Sequence, residues 1–157
     1  MNTDLTLESV ITDPELRSPL TLPSDDLAPG RARAFTRETL AEWSLHAEWN
    51  LNQLTDRAQL IVSELVTNAR LHGRTRPDGQ AEYVTLTLAL QDSVVGIEVG
   101  DNSPESPIPR ASPPSALDGR GLLLVDIAAD AWASYPDRDG PGKRVVAILQ
   151  RPPEPAA

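Results

Sequence analysis

The chain has no cysteine. Disulfides, thiolate nucleophiles, zinc–thiolate sites and iron–sulfur clusters are excluded with it. Its two histidines, His46 and His72, are too few for a histidine-rich metal centre. No apolar run approaches the roughly 18 residues of a membrane-spanning helix. Met1 to Glu8 lacks the basic start and apolar stretch of a signal peptide. Positive charge is scarce: Lys+Arg total 14 against 23 Asp+Glu, a formal net charge of −9, and Lys143 is the one lysine. Such an acidic chain repels nucleic-acid phosphates and anionic membrane surfaces. The expectation is a soluble, cytoplasmic protein with no direct nucleic-acid or membrane partner. Its 157 residues suit one domain with a sizeable core.

Proline, by contrast, is plentiful at 15 residues, gathered at the two ends and in one internal stretch. Residues 1–18 hold scattered acids and Pro14 without a sustained period, and read as a flexible tail. Residues 19–150 carry the domain, and residues 151–157, with Pro152, Pro153 and Pro155, read as a second tail. Pro19-Leu20-Thr21-Leu22-Pro23 alternates between two prolines, as an edge strand does. Pro29 to about Leu45 places Ala32, Phe35, Leu40 and Trp43 on one helical face. The clearest helix starts at Thr55 or Asp56, with Gln59 three residues after Asp56 as in a capping box. It runs to His72, where Gly73 occupies the C-cap position.

Glu82 to Leu90 and Val94 to Val99 form a hairpin about Gln91-Asp92-Ser93. Asp101 to Asp118 then loses all periodicity, with Pro104, Pro107, Pro109, Pro113 and Pro114 among its residues. A structureless loop of this length inside a domain is usually a functional lid or disordered. Leu122 to about Asp130 is an apolar helix, and two strands, Ala131 to Tyr135 and Arg144 to Leu149, close the domain. This order predicts an α+β two-layer sandwich: a mixed, mostly antiparallel sheet with helices on one face.

Three sets of residues can carry chemistry. Glu64 and Asn68 stand i, i+4 on one helix face among apolar neighbours. Their oxygens suit a hard cation such as Mg²⁺, or the carboxylate can deprotonate a nucleophile; a solvent-facing pair of no consequence has the same spacing. Asp101 ends a strand beside Gly100 and can accept from an exocyclic amine such as that of adenine; an Asp-Asn turn accounts for it equally. Gly119-Arg120-Gly121-Leu122 leads a loop into a helix, where free N–H groups favour phosphate; plain loop closure is the alternative. A dinucleotide fingerprint fails because its third glycine would fall at Leu124 and no strand precedes it. A Walker A motif at Gly140 to Arg144 fails because Arg144 replaces the required hydroxyl.

Taken in order, these motifs resemble the GHKL ATPase family. More narrowly, they resemble the histidine-kinase-like ATP-binding domain of the anti-sigma factor serine/threonine kinases of actinobacteria. The resemblance spans about Leu20 to Leu149. It rests on Glu64-Leu-Val-Thr-Asn68-Ala, Asp101-Asn-Ser-Pro and Gly119-Arg-Gly-Leu. It implies a Bergerat-type fold that binds ATP and Mg²⁺, with Asn68 as the metal ligand and Glu64 as the general base. Asp101, with Ser103 beside it, would meet the adenine. Gly119, Arg120, Gly121 and Leu122 would wrap the phosphates, and residues 102–118 would form the lid.

The implied partners are a sigma factor and an anti-anti-sigma (STAS-type) protein phosphorylated on serine; a homodimer is also implied. The alternative is a non-catalytic partner-binding module on the same fold. A gyrase- or chaperone-type hydrolase fits poorly with the short lid, and a sensor histidine kinase with the lack of a phosphoacceptor helix. Two departures stand out. The glycine positions after Asp101 are Ser103 and Glu105, as is usual for the anti-sigma-like branch. Where many relatives place a threonine near the adenine, this chain has Arg144. The proline-rich lid is stiff, so nucleotide binding is expected over efficient turnover.

Overall fold

The computed structural model describes the backbone of residues 3–77, 80–104 and 117–154, and their side chains except those of residues 3–6 and 117–122. Its elements are α1 (Thr3–Thr12), β1 (Leu16–Pro23), α2 (Ala28–Trp43), a 3₁₀ turn (Leu51–Leu54), α3 (Thr55–His72), β2 (Tyr83–Gln91), β3 (Val94–Asp101), α4 (Leu117–Ala128), β4 (Ala131–Pro136) and β5 (Lys143–Gln150). The strands form one five-stranded sheet in the order β1-β2-β3-β5-β4. Every pairing in it is antiparallel. The α+β sandwich predicted from the sequence is therefore present, and its sheet is wholly antiparallel rather than mixed.

β1 is an edge strand, and Pro19 is tolerated there because an edge position need not supply every N–H to a neighbour. The β2–β3 hairpin turns at Asp92, whose φ of 52° is left-handed. Aspartate adopts that conformation more readily than most residues, and the Asp92 N–H donates to Glu15 Oε1 at 3.0 Å.

α2, α3 and α4 cover one face of the sheet. Ile61, Val62, Leu65 and Ala69 of α3 pack with Leu86, Leu88, Ile97, Val99, Val145 and Ala147 in the main core. α3 touches α2, α4, β2, β3 and β5, and so lies at the centre of this layer. Thr55 lies inside α3 rather than capping it; the N-cap is Leu54, which makes no side-chain cap bond. Gln59 does not close a capping box, because its amide donates to the Arg33 carbonyl of α2 at 3.1 Å. Packing α3 against α2 takes up the side chain that the local motif would have used. At the far end of the layer, Arg57 of α3 donates from Nε and Nη2 to the Ala128 carbonyl (3.0 and 2.7 Å), capping the last turn of α4.

The largest difference from the sequence reading is at the N-terminus. Residues 3–12, expected within a flexible tail, form α1, and β1 starts at Leu16. Leu7, Val10 and Ile11 are buried against Ala89, Val146 and Ile148, which point to the opposite side of the sheet from the main core. A helix thus covers part of the second face as well. Gly96 makes this approach possible: a Cβ there would lie 2.5 Å from Val10 Cγ1. β5 is accordingly apolar on both faces, which explains its unbroken run Val145 to Leu149.

α1 is also held by charge. Arg144 of β5 reaches Glu8 Oε1 at 3.0 Å and Glu98 Oε2 at 3.1 Å, and stacks 5.0 Å from the Tyr135 ring centroid. Burial works against the guanidinium charge, but the bonds and charges of Glu98 and Glu8 outweigh it and push the Arg144 pKa further up. Truncating Leu7 to Ala removes a side chain that is 1% exposed and leaves a cavity under α1. We expect a loss of about 2–4 kcal/mol in urea unfolding. A flexible tail in solution would give no measurable change.

Candidate active site on helix α3

The site residues are ordered along the C-terminal half of α3. Glu64 and Asn68 stand one turn apart on the same face, about 6 Å along the axis. Gly73, the C-cap residue, lies about 7.5 Å beyond Asn68 and abuts Asp101 at the end of β3. Gly73 has φ −95° and ψ 0°, conformations open to any residue. Glycine is needed there for space: a Cβ would meet Asp101 Oδ2 at 2.4 Å and the Ala69 carbonyl at 2.6 Å. Gly142, the residue before β5, closes in as well, since a Cβ there would clash with the Asp101 carbonyl.

Glu64 is half-buried, and burial pushes its carboxyl above the ordinary range, with the nearby Arg33 charge opposing the shift. Arg33 projects from α2 and donates to Ser63 Oγ at 2.8 Å. Asn68 Nδ2 is buried and has no hydrogen-bond partner among the described residues. A buried amide without a partner costs free energy unless a ligand meets it. Its carboxamide oxygen is a ligand type that Mg²⁺ accepts.

Asp101 is 7% exposed at its side chain. Its Oδ1 accepts from the Ser103 N–H at 2.9 Å. Lys143 Nζ lies 2.8 Å from Oδ2 and 3.0 Å from Oδ1. Burial raises the Asp101 pKa, against the hydrogen bond and charge of Lys143 and the Ser103 N–H. The next residue is anchored as firmly. Asn102 Nδ2 donates to Glu82 Oε2 at 2.9 Å, and Glu82 also accepts from the backbone N–H groups of Thr75 and Arg76. Burial works to raise the Glu82 pKa, but these bonds and the Arg74 charge outweigh it and hold its carboxyl low. Glu82 thereby ties the chain leaving α3 to the Asp101–Asn102 turn.

The structure places Glu64 and Asn68 on α3, and Asp101, with Ser103 two residues on, at the strand end against the α3 C-cap. Gly119, Arg120, Gly121 and Leu122 fall within α4, which starts at Leu117 rather than Leu122. Their side chains, and the lid from 105 to 116, lie outside the described residues. Arg144, the departure at the relatives' threonine position, lies away from Asp101. Its neighbour Lys143 is the cross-strand partner of Asp101, whereas Arg144 points to the α1 face. Because side chains alternate along a strand, an offset of one residue moves that position to the wrong side of the sheet. Arg33, Glu82 and Lys143 went unnoticed in the sequence. Each acts on a site residue 20 to 42 positions away, and only the register of β3 against β5 marks Lys143 out.

An open hollow of about 510 Å³ lies beside the last turn of α3, lined by residues that include Ser24, Asp26, Arg70 and Arg74. Arg70 is two residues after Asn68, about 200° around the helix, so this hollow is separate from the Glu64–Asn68 face. Among the described residues no helix is long and apolar enough to cross a membrane.

An antiparallel sheet under three helices, with an acid–amide pair on the central helix and an aspartate at the strand end beside it, defines a histidine-kinase-like ATPase fold. Residues 24–149 match the histidine kinase-like ATPase domain family, and the chain belongs to it. It is also similar to the anti-sigma F factor of Clostridium acetobutylicum, at 28% identity over 110 residues, covering 66% of this chain and 76% of that protein.

The close fit at Gly73 yields a prediction. Gly73→Ala forces Asp101 or the end of α3 to move, because two of the contacts under 3.0 Å are with the Asp101 carboxylate and one is with backbone. Overpacking of this kind costs about 1–3 kcal/mol. Thermal unfolding of Gly73→Ala against Gly30→Ala, where a Cβ meets only the Arg33 side chain at 3.5 Å, checks it.

Proposed function

We propose that this protein is an anti-sigma-factor-like regulator that binds ATP with Mg²⁺ and phosphorylates a serine on an anti-anti-sigma (STAS-type) partner. The observation that carries the reading is the Glu64–Asn68 pair on α3, whose buried amide has no partner among the described residues, on the helix whose C-cap packs against Asp101. In this reading the sigma factor is the competing partner, the protein acts in the cytoplasm, and it forms a homodimer. The similarity to an anti-sigma F factor supports the regulatory part. The family match supports the nucleotide.

The residues divide the work by position. Asp101 offers a carboxylate lone pair to the exocyclic amine of the base. Asn68, one to two turns up the helix, holds the cation through its carboxamide oxygen. Bound Mg²⁺ neutralises charge on the phosphates, which is the main demand of phosphoryl transfer. Glu64 lies one turn further on and takes the proton of the attacking serine hydroxyl. Burial brings its pKa closer to neutrality, which makes it a better base than an exposed glutamate. Gly119 and Arg120 lie in the first turn of α4, whose N–H groups lack intrahelical partners and suit phosphate.

A second reading is favoured by one observation. The Asp101 carboxylate is already paired with Lys143, as in a module that regulates its partner without nucleotide chemistry. The two readings differ in what Asn68 and Glu64 do. Calorimetric titration with ATP should show Mg²⁺-dependent binding in the wild type and a loss of about tenfold or more in Asn68→Ala. No binding at millimolar ATP would favour the second reading.

The pH dependence is a separate check. Glu64 must be ionised to act as a base, so transfer falls as pH drops through its raised pKa. The acid limb of the rate profile should therefore lie above that of an ordinary carboxylate. Arg33→Ala removes the charge that opposes the shift and should move the limb to still higher pH. A limb that stays in place would show that Arg33 has no influence on Glu64.

A further inference from the structure

We propose that the hollow beside the last turn of α3 is a second binding site, which takes a dianionic phosphate monoester. The inference does not depend on the nucleotide reading, because Arg70 and Asn68 lie on different faces of the helix. The hollow has a volume of about 510 Å³, and its lining includes Ser24, the three arginines Arg70, Arg74 and Arg76, and two aspartates. In a chain of net charge −9, three guanidinium groups around one hollow are a local exception.

Two buried polar atoms of the lining residues lack partners. Ser24 is 8% exposed, and its Oγ has no hydrogen bond among the described residues. The same holds for Arg74 Nε. Unpaired buried groups cost free energy unless a ligand satisfies them. The rest of the Arg74 guanidinium is fixed. Its Nη1 donates to the Ser24 carbonyl at 2.9 Å, and Nη2 to the Pro77 and Gln80 carbonyls at 3.1 and 2.8 Å. Arg76 Nη1 donates to the Ala81 carbonyl at 3.0 Å. Neutral carbonyls orient both groups without cancelling their charge.

The nearby carboxylates are already engaged. Asp25 Oδ1 accepts from the Leu27 N–H at 2.9 Å. Glu82, which feels the Arg74 charge, is taken up by Thr75, Arg76 and Asn102. Asp26 pairs with Arg70 but is 84% exposed. Exposed pairs contribute little, so a dianion can compete with Asp26 for Arg70. Donors then meet an incoming group from the end of β1 and from the chain at and beyond the end of α3. A phosphate monoester offers three strong acceptor oxygens and nearly two negative charges, which suits guanidiniums arriving from several directions. A carboxylate has one charge and two oxygens in one plane.

The test follows the Arg74 Nε–H resonance of the full chain by NMR at constant ionic strength. The titrants are inorganic phosphate, a short phosphoserine peptide and acetate. Phosphate should move the resonance saturably at millimolar concentration, and acetate should bind at least about threefold more weakly. Ser24→Ala and Arg76→Gln, each checked for folding by circular dichroism, should each weaken phosphate binding by about threefold or more. Asn68→Ala should keep the response, which sets this site apart from the nucleotide site. Tighter binding of the peptide than of inorganic phosphate supports the site with a phosphorylated protein as the source. Equal or tighter binding of inorganic phosphate supports it with the free ion as the source. No saturable shift, acetate binding as tightly as phosphate, an affinity unchanged in either variant, or a response lost in Asn68→Ala overturns the inference. Each of those results leaves the nucleotide reading to its own titration.

Discussion

The contact between the end of α3 and the end of β3 is the constraint on which the site depends. Gly73 and Asp101 meet at a distance that no other residue at position 73 would allow without displacement. This closeness places a carboxylate from the sheet directly below a helix that already carries Asn68 and Glu64. It also buries Asp101, and a buried carboxylate needs partners. Lys143 and the Ser103 N–H supply them. Removing one partner from such a pair leaves an uncompensated charge, so the geometry is self-enforcing.

The two faces of the sheet use different means to the same end. The helix-covered face is apolar, and its energy comes from area removed from water. The other face has a smaller apolar patch under α1 and a charged cluster centred on Arg144. The guanidinium joins Glu8 of α1, Glu98 of β3 and the Tyr135 ring of β4. β5 connects both systems, because Lys143 and Arg144 are adjacent in the chain and opposite in direction. One strand therefore holds the cation that faces the predicted nucleotide site and the cation that anchors the N-terminal helix.

Much of the architecture was legible because hydrophobic periodicity survives translation into structure. The alternation of β2, the hairpin at Asp92 and the apolar face of α3 are local patterns, and each reappears with small shifts of boundary. α1 was missed because one helix of ten residues shows only a single apolar cluster, Leu7, Val10 and Ile11. Its acids and its position before Pro14 resemble a solvated tail. The cap of α3 was missed because tertiary contacts reassigned the capping side chain, Gln59, to the Arg33 carbonyl.

By itself, the sequence determined the fold class, the helix that bears Glu64 and Asn68, and the strand that delivers Asp101. These follow from side-chain periodicity and from the family motifs, which are properties of neighbouring residues. Only the tertiary structure decided what each charged group faces. Lys143 rather than Arg144 meets Asp101, Arg33 lies near Glu64, and Glu82 holds the loop after α3 to Asn102. The physical reason is register. A strand turns each successive side chain to the other face, so the partner of a buried charge is set by the pairing of strands far apart in the chain.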